Sequence, residues 1–460
     1  MKKYYLFYFK HKVICAIFII STKLIGSSSG MMENLEENIF IDLKERVNLK
    51  YNINPIAAIL APESTSYITI NNQSTIHDLY EIGSITKFFT AHLALLLVEE
   101  GKINLHQPIE TFIAEIFPNA HESLKNKSLY QLLTHTTGLK DPKQNSYYNK
   151  LSGNTLPIVD YDMSDIDKFL STQKLPPDVE RPIYSNLGYG LIGLILEKVS
   201  GKSYGILLHE YILRPLNMKE TFIEMPKNSS NRKVVGYCQG VPVPHWNIKY
   251  LKAFASIVSS LHDLSIYFNY IAFSDFKNSE IAKKLEKTPY SLGKFRIKFG
   301  MGWSMDMRYE GKINVLTGRT LGFSSFIGWN KESSRLVILL VDSDTFGLTA
   351  HRWFNPSIPK DRLNKQITLP IKTLKSLEGK YRLQGEENII LVVQATETHL
   401  KIYCENEPPT ILYPSDNGYF FTKQLYDSSS SMIFFKEKKG KLSIYESSEN
   451  KIQIIGERIK

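Results

Sequence analysis

Two side chains, three residues apart, have the types that acyl chemistry needs. The stretch EIGSITKFFTAHLALLLVEEG at 81–101 puts Ser84 and Lys87 at the front of an apolar run. Phe88, Leu93, Leu95, Leu96, Leu97 and Val98 supply a greasy helical face, and Gly101 is a natural stop. Positions i and i+3 share one face of a helix. A serine hydroxyl is a weak nucleophile until a base activates it, and a lysine kept out of water loses enough basicity to be that base. The unpaired N–H groups of a helix start can hold the oxyanion of an acyl intermediate. The same four residues also fit a serine N-cap followed by a stray lysine, so the pattern needs company.

Company comes twice. YSNLGYG at 184–190 sets Tyr184 and Asn186 directly before a second apolar helix, LGYGLIGLILEKVS, which Gly201 ends. A phenol can shuttle protons, and an amide can orient a lysine or a substrate. A buried tyrosine hydrogen bond and an asparagine helix cap are the plainer alternative. LTGRTLGF at 316–323 then lies on a strand-like run. Its glycines permit close backbone approach, and an N–H on such an edge could be a second oxyanion donor.

In this order the three elements resemble the serine beta-lactamase/penicillin-binding-protein-like superfamily, in its class C type branch. The resemblance extends beyond them, over roughly 35–350. QLLTHTTGL (131–139) is similar to the family's Leu-Leu-x-His-Thr-Ser-Gly segment, RPLNMKETF (214–222) to its Pro-Leu-Gly-Met-x-x-Thr turn, and FGMGW (299–303) to its Gly-x-Gly-Trp strand. The resemblance implies Ser84 as the acylated nucleophile and Lys87 as its base, sharing the proton with Tyr184. Asn186 would hold Lys87 and a substrate amide or carbonyl. Thr317, Gly318 and Arg319 would lie along the substrate, and the backbone N–H groups of Ser84 and Arg319 would form the oxyanion hole. The third motif departs from the family at Leu316, where Lys or His usually stands. A leucine cannot bind a substrate carboxylate, which points away from penicillins and toward an esterase-like, amidase-like or inactive member. Ala255-Ser256 stands where the family often shows Gly-Gly.

The elements that must position these residues follow from periodicity. Residues 34–50 have helical spacing, PIAAILAP and SYITI read as strands, and 254–273 as a helix. Residues 140–182 are polar and proline-rich, and read as loops. From about 300 the period shortens to that of strands: MGWSMDM, KINVLTG, FSSFIGWN and RLVILLVDS. Strands at both ends around a helical middle define an α+β fold, an antiparallel sheet with a helical subdomain. Residues 355–370 read as a linker. The eight short strand runs of 371–460 suggest a small C-terminal all-β barrel-like domain. The main domain would span 31–354.

The chain has 460 residues, 43% hydrophobic and 22% charged, as in globular proteins. A net charge of +10 favours anionic surfaces, but no dense basic block with interleaved aromatics marks a nucleic-acid face, and KEKKGK at 436–441 reads as a hairpin tip. Residues 1–30 join lysines, the apolar VICAIFII and the small residues IGSSSG, the pattern of a secretory signal or N-terminal anchor. Export to a periplasm or cell exterior follows, with a small-molecule or peptide substrate, peptidoglycan included. The three cysteines form no C-x-x-C, and no histidine pair stands at ligand spacing with a carboxylate, so neither a metal nor a cofactor is expected. GKSYG at 201–205 fits a nucleophile elbow, but no strand precedes it, and Gly201 reads better as a helix C-cap. His135 reads as a buried structural residue, and His106 and His262 as surface or helix residues.

Overall fold

Strand β1 (Ile56–Ala61) is buried at all six positions, as a strand covered on both faces must be. Its side chains alternate between two cores: Ile56, Ala58 and Leu60 join the larger one, Ala57 and Ile59 the smaller. The computed structural model describes residues 29–48, 54–70, 74–142, 162–179, 182–238, 241–287, 297–306, 313–343, 353, 367–383, 390–404, 410–415, 420–422, 432–438, 441–448 and 451–459.

The remaining strands of the first domain are β2 (Ser64–Thr69), β3 (Tyr80–Glu81), β4 (Gly236–Cys238), β5 (Val241–Val243), β6 (Val258–Ser259), β7 (Ile297–Phe299), β8 (Ser304–Asp306), β9 (Ile313–Arg319), β10 (Ser324–Asn330) and β11 (Arg335–Val341). Six of them join β1 in one seven-stranded sheet, in the order β2-β1-β11-β10-β9-β8-β7. Every pairing is antiparallel, with β1 against β11 in the register Ala58–Ile338. The N-terminal and late strands therefore share a sheet, with the helices between them, as the α+β reading requires. Helix α1 (Ser29–Asn48) packs Ile39 and Leu43 on one sheet face. The other face meets α4 (Leu261–Phe273), and α2 (Thr86–Glu99) and α3 (Asn186–Ser200) pack against each other in the same large core, which holds Phe88, Phe89, Ile195 and Phe268.

Two local readings change. Residues 254–260 are not helix: a 3-10 turn, Lys252–Phe254, ends there and β6 follows; α4 starts at Leu261, where Ser260 accepts the Asp263 N–H as its N-cap. Within the expected loops of 140–182, Met163–Ser171 is a helix opened by a reciprocal capping box of Asp162 and Asp165. Gly201 does take the left-handed C-cap conformation, with φ +68°.

The C-terminal region opens with a short helix, Ile371–Ser376, where no helix was expected. Its strands are β12 (Gly379–Leu383), β13 (Ile390–Ala395), β14 (Leu400–Cys404), β15 (Thr410–Pro414), β16 (Phe420–Thr422), β17 (Met432–Lys438), β18 (Lys441–Ser448) and β19 (Lys451–Ile459). They pair in chain order and β12 also pairs β19, so the ladder closes into a barrel. Among the described residues, β16 and β17 share one register pair, Phe420 with Ile433. Leu374, Tyr381, Val393, Leu400 and Ile444 share a buried cluster in this region. Most of the linker reading and residues 1–28 lie outside the described residues. Among the described residues no helix is long and apolar enough to cross a membrane.

Candidate active site

Ser84 lies inside a 3-10 turn, Gly83–Ile85, that runs straight into α2. It is not the N-cap: that position falls to Ile82, which makes no side-chain cap bond. The hydroxyl is therefore not spent on its own helix, and the residue is partly open to solvent. Two glycines set the turn against the end of β9. Gly83 has φ +51°, and a Cβ on it would come within 2.5 Å of the Arg319 nitrogen. A Cβ on Gly318 would come within 1.9 Å of the Ile82 carbonyl oxygen. Backbone thus meets backbone there, and the Arg319 amide lies beside the residue that precedes Ser84. Ser325 Oγ donates to the same Ile82 oxygen at 2.9 Å and pins β10 to the turn.

Lys87, one helical turn on, is 5% exposed. Its Nζ lies 3.0 Å from Ser84 Oγ, 2.8 Å from Asn186 Oδ1 and 2.9 Å from the Phe254 carbonyl oxygen. The last two can only accept. A neutral amine that donates two N–H bonds to them keeps its lone pair for the third direction, where the Ser84 hydroxyl can donate. Burial pulls the lysine down to about 7, against the opposing pull of the Asp141 carboxylate. Near neutral pH a large share of such amines is unprotonated, the state a general base requires.

The acceptors are held by their surroundings. Ser185, not Asn186, caps α3, accepting the Gly188 N–H at 2.9 Å. Asn186 becomes the first helical residue, with its side chain turned to Lys87. Its Nδ2 donates to Asp141 Oδ2 at 2.8 Å, which fixes the amide with its oxygen toward the lysine. Asp141 Oδ1 also accepts from the Leu187 N–H at 2.8 Å and the Ser185 hydroxyl at 3.1 Å. The Phe254 segment is tied to α2, since Ile257 N donates to Thr86 Oγ1 and Thr90 Oγ1 donates to the Ala253 carbonyl. Sequence reasoning passed over Asp141, two residues beyond the matched QLLTHTTGL, because no spacing rule links it to Asn186.

Tyr184 is 41% exposed, and Lys87 Nζ lies 4.9 Å from the centre of its ring. His135 is buried, its Nδ1 accepting the Ser185 N–H at 3.2 Å and its ring 4.6 Å from that of Tyr184. Burial, and then the charge of Lys87, pull His135 down to about 3. It stays neutral and structural at any ordinary pH. Along β9, Leu316 is buried in the large core, and by strand alternation it shares a face with Gly318 and so with the Ser84 turn. Thr317 and Arg319 send their side chains to the other face, which leaves only their backbone to meet the turn. No cation therefore replaces the missing one from within this strand.

A nucleophile turn under an antiparallel sheet, a buried lysine three residues on, and a Tyr-x-Asn opening a neighbouring helix define the serine beta-lactamase/penicillin-binding-protein-like superfamily. The chain belongs to the beta-lactamase family, whose model matches residues 71–354. It is 25% identical over 332 residues to Protein flp of Staphylococcus aureus (strain MW2), covering 69% of this chain and 62% of that one. The chain thus spans under two thirds of that relative's length. A beta-lactamase of Providencia stuartii is 31% identical over 163 residues, 35% of this chain and 38% of that one. Among solved structures, an octameric penicillin-binding protein homologue from Pyrococcus abyssi has the same fold, with a TM-score of 0.60 at 22% identity, over 92% of this chain and 99% of that one.

Proposed function

We propose that the chain is an exported serine hydrolase that cleaves an ester or amide through an acyl-enzyme. The observation that carries this is the environment of Lys87: two acceptor-only oxygens, one serine hydroxyl, and basicity lowered to about 7. Neutral Lys87 takes the Ser84 proton as Oγ attacks the substrate carbonyl. The backbone N–H groups of Ser84 and Arg319 hold the oxyanion. Tyr184 passes the proton to the leaving group and afterwards helps water release the acyl group. Asn186 keeps the amine aimed. Leu316 supports a neutral carbonyl substrate over a carboxylate-bearing one, so esters, amides and peptide-like substrates rank above penicillins. The family membership and the beta-lactamase relative keep β-lactam turnover as a further activity to be measured.

A fluorophosphonate probe followed by intact-mass spectrometry tests the reading. One adduct on the wild type and none on Ser84→Ala are expected, together with turnover of a simple ester. An unlabelled wild type would sink it in favour of a second reading, which Leu316 and the added C-terminal β domain support: a penicillin-binding-like protein that holds cell-wall fragments or a protein partner without reacting.

A further inference from the structure

Outside this site, three side chains from distant stretches converge beside the β3–β6 pair. His77 precedes β3, Glu220 precedes the bridge of Phe222 to Val258, and His262 lies in the first turn of α4. His77 Nδ1 is 2.9 Å from Glu220 Oε1, and His262 Nδ1 is 3.6 Å from Glu220 Oε2. The donor atoms of all three lie within 4.8 Å of one another. Metal–ligand bonds of about 2.0–2.1 Å in a tetrahedron put neighbouring donors about 3.3 Å apart, and the two measured separations bracket that value. Two imidazoles and a carboxylate are also a donor set that zinc uses. A lone ion pair would need only one imidazole on Glu220; here a second nitrogen, His262 Nδ1, faces the same carboxylate at 3.6 Å and Asp263 Oδ1 at 3.3 Å.

The donors are fixed by hydrogen bonds that do not depend on an ion. His262 N donates to the Ile76 carbonyl at 2.9 Å, and Asn231 Nδ2 to the His77 carbonyl at 2.7 Å. Glu220 N donates to Asp263 Oδ2 at 2.7 Å, and Ser260 Oγ to Glu220 Oε2 at 2.6 Å. Such outer bonds orient metal ligands in advance. His77 is half exposed, so an ion can enter from solvent. The expectation of no metal, drawn from spacing along the chain, missed this set because His77 and Glu220 stand 143 positions apart.

We propose that His77, Glu220 and His262 bind one divalent transition ion of the zinc type, with water completing the coordination. The ion ties three segments into one clamp. It holds residue 77, seven positions before Ser84, to the start of α4, and so braces the β3–β6 pair that runs between the Ser84 turn and the Phe254 segment. The site is separate from the serine chemistry and stands or falls without it.

The test uses the full chain stripped with chelator and titrated with zinc chloride by calorimetry, in the wild type, His77→Gln and Glu220→Gln. Cobalt(II) absorption reports the coordination geometry in parallel. One saturable equivalent is expected in the wild type, with affinity at least about 10–100-fold weaker in each variant. Zinc should raise Tm in the wild type alone. Because His77 is half exposed, His77→Gln should keep the metal-free Tm and carries the test even if Glu220→Gln unfolds. Absence of saturable binding, or equal affinity in wild type and His77→Gln, overturns the proposal.

Discussion

Two buried lysines sit in polar corners of the same domain, and only one corner resembles a catalytic site. Lys87 is 5% exposed and Lys127 4%. Burial lowers both below the ordinary lysine value, and an aspartate opposes the drop in each case, Asp141 for Lys87 and Asp178 for Lys127. The difference is the partner set. Lys127 Nζ donates to the carbonyls of Pro176 and Pro177, at 2.5 and 2.7 Å. Neither oxygen has a proton to give, so this ammonium ties a loop down. Lys87 has two such acceptors and, in its third direction, a hydroxyl that can donate. Desolvation alone thus marks no base; a transferable proton beside the amine does.

The largest effect should separate the two corners outright. On the proposed mechanism Lys87→Ala removes the base, and kcat/KM for an ester substrate should fall roughly 10²–10⁴-fold, the usual worth of general-base catalysis. Lys127→Ala should leave turnover unchanged and lower stability by about 1–3 kcal/mol in denaturant unfolding, because two proline carbonyls lose their donor. Turnover as badly hurt in Lys127→Ala as in Lys87→Ala would break the comparison.

A third lysine can be added to ask what position contributes. Leu316 shares a strand face with Gly318 and the Ser84 turn, and it is buried in the large core. In Leu316→Lys the alkyl stem can keep part of that packing while the ammonium reaches toward solvent. A charge-assisted bond to a substrate carboxylate is worth about 1.5–3 kcal/mol. The ratio of kcat/KM for a carboxylate-bearing substrate to that for a neutral ester should therefore rise roughly ten- to hundredfold. An unchanged ratio would show that Leu316 does not set the charge preference.

The contrast also shows which physics a sequence displays. Ser84, Lys87, Tyr184 and Asn186 were legible because helix starts put them at short, fixed offsets from apolar runs. The seven-stranded sheet was legible from strand runs at both ends of the domain, and the closed ladder of β12–β19 from eight short runs. Asp141 was not, since its tie to Asn186 depends on a loop folding back over α3. The helix at Met163–Ser171 hid behind polar residues, its Ile166 and Leu170 being the buried positions and its capping box the overlooked signal. Residues 254–260 read as helix from their apolar content, yet Phe254 and Ile257 are drawn toward the Ser84 turn by Lys87 and Ile82. Tertiary hydrogen bonds outweighed local pattern there, at the very segment that supplies a carbonyl to the lysine.

Asp141 provides the finest cut between the corners, because its carboxylate acts on Lys87 both by charge and through Asn186. With Lys87 held at about 7, the acid limb of the kcat/KM profile should lie near that pH, activity rising as the amine loses its proton. The Asp141 charge favours the ammonium and raises that value. Asp141→Asn removes the charge, so Lys87 gives up its proton more easily and the acid limb moves to lower pH. The plateau rate should fall at the same time, because the Asn186 amide loses the carboxylate that sets its orientation. A merely structural aspartate would lower the rate at every pH and leave the limb in place. Moving the limb of Lys87 while altering no atom of Lys87 would show that this corner is tuned, and the matching Asp178→Asn change beside Lys127 should move nothing in the profile.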